Sequence, residues 1–288
     1  MIKRTIIIGN GFDLNLGLKT SWTDFIGSPY FQAIYPYNSL SKYIFKKFKT
    51  CNWVDVESAL FEYANQTSDY RTLYKEYWGL KESLCNYLSS IDTSKFVDGS
   101  EAYIIIDHIF LQSLKLGDEL DTTILNFNYT NIVQRIIEER LSWSNMRNRE
   151  FKMQFKNVHG TLSYGNIILG YNGVEKLNDD HNFFIEKSAN KNYAEYNEIL
   201  LGCDQVIIIG HSLGKSDEIM FKSLFSATST KKQPRILIFY YKKAGYDSLK
   251  RRIVEMTGGA LNAMTNKRKI RLEDIDNFFK DINNFALL

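Results

Sequence analysis

Apolar runs without polar alternation stand at Thr5-Ile6-Ile7-Ile8 and at Gln205-Val206-Ile207-Ile208-Ile209. Such runs read as strands buried on both faces, the central kind in a parallel sheet. Sheet character recurs in Thr122-Thr123-Ile124-Leu125-Asn126-Phe127-Asn128 and in a shorter run from Gln154 to Val158. Asn166-Ile167-Ile168-Leu169-Gly170 reads as a strand returning beside that run, and Arg235 to Tyr240 as the last strand. Elsewhere apolar residues recur three and four apart, at Ser39 to Phe48, Val54 to Ala64, Tyr70 to Ser89 and Asn131 to about Leu141. Further helices are expected from about Phe183 to Leu201, from Tyr246 to about Met256 and from Ile275 to Ile282. The run Ala102-Tyr103-Ile104-Ile105-Ile106 continues through Asp107-His108-Ile109-Phe110-Leu111 at helical spacing, so it too is expected to be a helix.

Four of the strands end in polar or glycine motifs: Gly9-Asn10-Gly11, Asn126-Phe127-Asn128-Tyr129-Thr130, His159-Gly160 and Gly210-His211-Ser212-Leu213-Gly214. In an open α/β sheet, ligands bind outside the carboxyl ends of the strands, so four such ends on one rim can converge on one crevice. Gly9 and Gly11 let the backbone turn sharply and let a ligand approach the main chain. A helix starting there would offer free N–H groups and its dipole to a phosphate. The spacing opens as Gly-x-Gly-x-x-Gly would, with Leu14 in place of the third glycine. A tight turn after a core strand accounts for the same glycines. Asp13 suits either ribose hydroxyls or the N-cap of a helix.

Strands alternating with helices imply an α/β fold, here a Rossmann-like, mostly parallel sheet with helices on both faces. Residues 31–112 supply helices and no convincing strand, and are expected as a large helical insertion after the first strand. The nucleotide-binding domain is then 1–30 together with 113–288. Tyr43, Phe48, Phe61, Tyr63, Tyr74, Tyr77 and Tyr87 are expected to form the core of the insertion. Within it, Trp53-Val54-Asp55-Val56-Glu57 would place two acids on one face of a strand. A helix N-terminus, where acids favour the dipole, is the simpler expectation.

Composition narrows the classes of function. Hydrophobic residues make up 44% and charged residues 24%, ordinary for a soluble globular chain. A net charge of +3 is too small to argue for nucleic acid or a membrane. The basic runs at Lys231-Lys232 and Lys267-Arg268-Lys269 read as solvated surface. Cys51, Cys85 and Cys203 are far apart with no Cys-x-x-Cys pair, which argues against a disulfide framework and a cysteine zinc site. No metal is expected. No signal peptide is expected, since the apolar stretch Thr5 to Ile8 is short and Gly-Asn-Gly follows it, and no apolar run approaches the roughly 20 residues that span a bilayer. A cytoplasmic protein is expected.

Gly210-His211-Ser212-Leu213-Gly214 after a buried strand also matches the Gly-x-Ser-x-Gly nucleophile elbow. That arrangement needs its histidine after the serine. Histidines occur only at His108, His159, His181 and His211, so none follows Ser212. A serine hydrolase is kept as the minor alternative.

At these residues the chain resembles the AbiH abortive-infection proteins of bacteria, which act against phage. The resemblance covers Ile7 to Leu14 with the following Gly-Leu-x-Thr-Ser, then Trp53-x-Asp55-x-Glu57 and Asn126 to Thr130. It continues through Val158-His159-Gly160 and Gly210-His211-Ser212-Leu213-Gly214-x-Ser216-Asp217. A more distant likeness is to sirtuin-like NAD-binding domains. Gly9-Asn10-Gly11, Asn128, His159-Gly160 and Gly210-His211-Ser212 follow that family's order of motifs. The likeness implies that Asn128 and His159 lie at the nicotinamide ribose, and some defence members hydrolyse NAD. Departures are Phe12 and Asp13, where sirtuins have a small residue, and the missing zinc cysteines. These count against protein deacylation more than against NAD cleavage.

The expected activity is therefore that of a defence effector that binds NAD and hydrolyses it, with Asn128 and His159 catalytic. Gly9, Asn10, Gly11, Asp13, Gly210, His211, Ser212 and Asp217 are expected to hold the nucleotide. His159 suits a general base, its unperturbed range lying near working pH, and Asn128 can donate and accept at once. The expected partners are a nucleotide ligand, a phage-derived trigger and a second copy in a homo-oligomer, with no membrane or nucleic acid. A nucleotide sensor without turnover is the principal alternative.

Overall fold

The computed structural model describes residues 1–51, 55–143, 152–171, 192–225, 234–259, 261–266 and 269–280. Its centre is a six-stranded sheet in the order β3-β2-β1-β4-β5-β6. The strands are β1 (Ile2–Ile8), β2 (Leu120–Asn126), β3 (Lys152–Asn157), β4 (Gln205–Ile209), β5 (Arg235–Tyr240) and β6 (Ile270–Asp274). Every pairing is parallel. The order reverses between β1 and β4, and the crevice at that switch point is where open α/β sheets bind ligands.

β1 takes the middle of the sheet because Ile6, Ile7 and Ile8 have no polar face to show to water. Each is 0% exposed. Ile6 and Ile8 point into one apolar layer and Ile7 into the other, the period-two alternation of a strand. The first layer is covered by α1 (Asn10–Asn15), α7 (Glu101–Leu116), α8 (Ile132–Trp143) and α13 (Ile275–Lys280). The second is covered by α9 (Asn192–Gly202), α10 (Glu218–Phe225), α11 (Lys242–Thr257) and α12 (Leu261–Asn266).

Between α1 and α7 lie α2 (Trp22–Ile26), α3 (Pro29–Ile34), α4 (Ser39–Cys51), α5 (Val56–Gln66) and α6 (Tyr70–Ser89). They enclose a core of their own that includes Phe25, Phe31, Leu60, Tyr77 and Leu80. Local signals set their starts. Ser21 and Asp24 form a capping box at α2, Ser28 caps α3 ahead of Pro29, and Asp55 and Asp69 cap α5 and α6. α7 follows this lobe in the chain but packs on the sheet.

Several expectations are corrected. Arg235 to Tyr240 is not the last strand, since β6 adds to its far side. Its sequence, Ile-Arg-Leu-Glu-Asp, alternates with charges as suits an edge strand, and only Ile270 is fully buried. Residues Asn166 to Gly170 form no strand. Ile168 N–H does donate to His159 O at 2.7 Å, but Ile167, Leu169 and Tyr171 turn into the core of the helical lobe. Tyr77 Oη seals that junction by donating to Leu169 O at 2.7 Å. Tyr74 is 41% exposed rather than in the lobe core. Trp53, His181, the pair Lys231-Lys232 and the start of the helix expected from Phe183 lie outside the described residues. Among the described residues no helix is long and apolar enough to cross a membrane.

Candidate functional site

At the switch point the two glycine turns touch each other. Gly9 N–H donates to Ile209 O at 3.0 Å, and Gly11 N–H to Gly210 O at 2.8 Å. A Cβ on Gly9 would stand 2.5 Å from His211 Cα, and one on Gly210 only 2.2 Å from Phe12 N. Gly210 also has φ +67°, in the left-handed region. Close backbone contact thus explains these glycines without a ligand, and the N–H groups of Gly9 and Gly11 are already engaged. Asn10 is exposed, and its side chain ties α1 to Thr20, accepting from Thr20 Oγ1 at 2.6 Å and donating to Thr20 O at 3.2 Å.

Asp13 is not an N-cap. Gly9 holds that position, and Asp13 lies inside α1 with 0% exposure. Its Oδ1 accepts from Asn128 Nδ2 at 2.6 Å and its Oδ2 from Thr130 Oγ1 at 2.6 Å. Burial pushes its carboxyl up to about 7, against the downward pull of those two hydrogen bonds.

Asn128 is held from several sides. Its N–H donates to Asn126 Oδ1 at 3.1 Å, while Asn126 Nδ2 donates to Thr130 O at 2.7 Å, so the loop after β2 is folded over its own amide. Asn128 Nδ2 also reaches Gly9 O at 3.3 Å. A carbonyl can only accept, so the amide orientation is fixed with its NH₂ toward α1. Asn128 Oδ1 is left buried without a hydrogen-bond partner among the described residues. An unsatisfied buried acceptor of this kind costs about 1–3 kcal/mol, which native structures keep where something else satisfies it.

A second cluster lies at the ends of β3 and β4. His159 Nε2 is 3.0 Å from Asp217 Oδ1, and His211 Nε2 is 3.8 Å from Asp217 Oδ2, beyond hydrogen-bond reach. His211 Nδ1 accepts from Leu213 N–H at 3.0 Å, so the hydrogen of its ring sits on Nε2, toward Asp217. All three side chains are buried. Phe127 packs edge-on to both imidazoles, 5.2 Å from His159 and 4.5 Å from His211 between ring centroids. Asp217 ends a 3-10 turn, Lys215–Asp217, against which α5 of the helical lobe packs.

The turn that carries Ser212 is strained. Leu213, fully buried, has φ +54°, and Arg252 Nε anchors its carbonyl at 2.9 Å. Ser212 itself is exposed. Its neighbour His211 has Nδ1 filled by Leu213 and Nε2 turned to Asp217, so neither nitrogen is placed to take a proton from the serine. Among the described residues no group of three or more His, Cys, Asp or Glu is arranged to hold a metal ion.

The structure therefore brings Asp13 to Asn128, and His159 and His211 to Asp217, all at one rim. Reasoning from sequence missed Thr130 as a partner of Asp13 and Phe127 as the wall between the imidazoles. Both stand in the Asn126 to Thr130 motif, whose polar–aromatic alternation after a buried strand was the available signal. No curated protein matches the chain. The family described as Bacteriophage abortive infection AbiH matches residues 5–240, from within β1 to the last residue of β5, and takes in both clusters. The chain belongs to the AbiH family of bacteriophage abortive-infection proteins.

Proposed function

We propose that this phage-defence protein binds NAD across the switch-point crevice and hydrolyses its nicotinamide–ribose bond. The observation that carries the reading is Asn128, whose NH₂ is consumed by Asp13 and Gly9 while its buried Oδ1 has no partner among the described residues. An acceptor so placed suits a ribose hydroxyl or the attacking water. The sirtuin-like order of motifs and the Rossmann strand order support the same ligand class.

The chemistry asks little of a nucleophile. The bond between ribose C1′ and the nicotinamide nitrogen breaks, its electron pair leaves with neutral nicotinamide, and an oxocarbenium-like centre remains. Water adds at C1′ and gives its proton to His159, which stands one strand from Asn128 at the same rim. Such a base contributes about a hundredfold to ten-thousandfold. The exposed Ser212 hydroxyl is a polar group suited to the diphosphate, given that Gly9 and Gly11 N–H are engaged and the Asn10 side chain is tied to Thr20.

A second reading has one observation in its favour. Asn128 is 5% and His159 6% exposed, so the same crevice would serve a sensor that closes over a nucleotide without turnover. Incubating the protein with NAD and following nicotinamide and ADP-ribose separates the two. Release of both products supports hydrolysis; binding without release supports the sensor.

A further inference from the structure

We propose that Asp217 is the positioning residue of this site, fixing the tautomer of His159 so that Nδ1 is the atom that takes the proton. The inference rests on the reading of His159 as the base. Asp217 faces two imidazoles as a carboxylate, which accepts and does not donate, so the 3.0 Å contact from His159 Nε2 to Asp217 Oδ1 assigns the ring hydrogen to Nε2. Among the described residues Nδ1 is then the ring's free acceptor. His211 makes the arrangement one-sided. Its Nδ1 is occupied by Leu213 N–H, so it can only present Nε2–H toward the other carboxylate oxygen, at 3.8 Å.

Two buried imidazoles thus hold hydrogens toward one carboxylate, yet only His159 has a nitrogen left over. Phe127, edge-on to both rings, limits their rotation. The 3-10 turn that carries Asp217 meets α5 of the helical lobe, so the lobe is mechanically joined to the group that sets the base. A carboxylate in this role acts through orientation, and a base in the wrong tautomer costs up to about ten-thousandfold in rate.

The test is the ring tautomer itself, read from the nitrogen-15 shifts of labelled histidines in the full chain, with nicotinamide release measured in parallel. Wild-type His159 and His211 should both show the hydrogen on Nε2. In Asp217→Asn, the new NH₂ facing His159 should move its hydrogen to Nδ1, and kcat should fall at least about a hundredfold with KM for NAD changed by less than about threefold. His211→Gln should leave the His159 tautomer as it is, a control that does not depend on Asp217→Asn folding well. His159 carrying its hydrogen on Nδ1 in the wild type, or keeping Nε2–H in Asp217→Asn, overturns the assignment. So does a raised KM with unchanged kcat, which would make Asp217 a ligand contact. If the tautomer shifts as expected while the wild type releases no nicotinamide, the positioning role stands and NAD hydrolysis falls.

Discussion

Asn128 Nδ2 lies 2.6 Å from Asp13 Oδ1, a bond that spans 115 positions of sequence and joins the end of β2 to the first helix. It satisfies a carboxyl that the fold has removed from water, and it points the amide so that Oδ1 is left over. Burial therefore sets the protonation of Asp13, and this contact sets the direction of Asn128.

The pH dependence of stability follows from the first of these. Burial raises Asp13 from its ordinary 3.8 to about 7. Between those values the folded protein keeps a proton that the unfolded chain has lost, so stability falls as pH rises through the window. The full effect is roughly 4 kcal/mol. In Asp13→Asn, Oδ1 can still accept from Asn128 and the NH₂ can donate to Thr130 Oγ1, so the variant resembles the protonated form. Denaturant midpoints taken at pH 5 and pH 8 should drop for the wild type far more than for Asp13→Asn. Parallel changes in the two proteins would contradict the assignment.

The interlocked glycines give a stability prediction with its own control. Gly210→Ala forces a Cβ to within 2.2 Å of Phe12 N, and Gly11→Val drives one to 2.8 Å from Gly210 O. Each should cost more than about 3 kcal/mol or prevent folding. Gly258 has φ +59° with open space around its Cβ position, so Gly258→Ala should cost only about 1–2 kcal/mol. Equal costs in a denaturation series would mean that backbone strain, and not the contact between the two turns, governs Gly210.

Much of this was legible in the chain. The unbroken runs at Thr5 to Ile8 and Gln205 to Ile209 became the adjoining central strands, because residues apolar on both faces have nowhere else to go. The polar strand ends fall on one rim because all strands are parallel. What stayed hidden depends on partners remote in sequence. Nothing near Asp13 announces that Thr130 and Asn128 will enclose it, and His159 and Asp217 are 58 positions apart. β6 is not legible in the sequence because an edge strand keeps its charges, and here it follows a basic run. Asn166 to Gly170 has strand composition, yet its apolar side chains are drawn into the helical lobe, where burial outweighs pairing.

Ser212 separates the hydrolase alternative from the nucleotide reading. It is exposed and, among the described residues, no histidine is placed to activate it, so Ser212→Ala should change stability by no more than about 0.5 kcal/mol. Its effect on NAD binding should be that of one hydrogen bond, about 0.5–1.5 kcal/mol. Stoichiometric labelling by a fluorophosphonate, with matching loss of function, would instead make the serine a nucleophile.

The most direct measurement is nicotinamide release from NAD by the phage-activated protein and by His159→Ala and Asn128→Ala, with folding of each verified. Removing the base or the ribose acceptor should lower the rate at least about a hundredfold while NAD still binds. Cells expressing the wild type should lose NAD on infection, and cells expressing either variant should keep it. An activated wild type that leaves NAD intact, or variants that match it, would contradict the catalytic account.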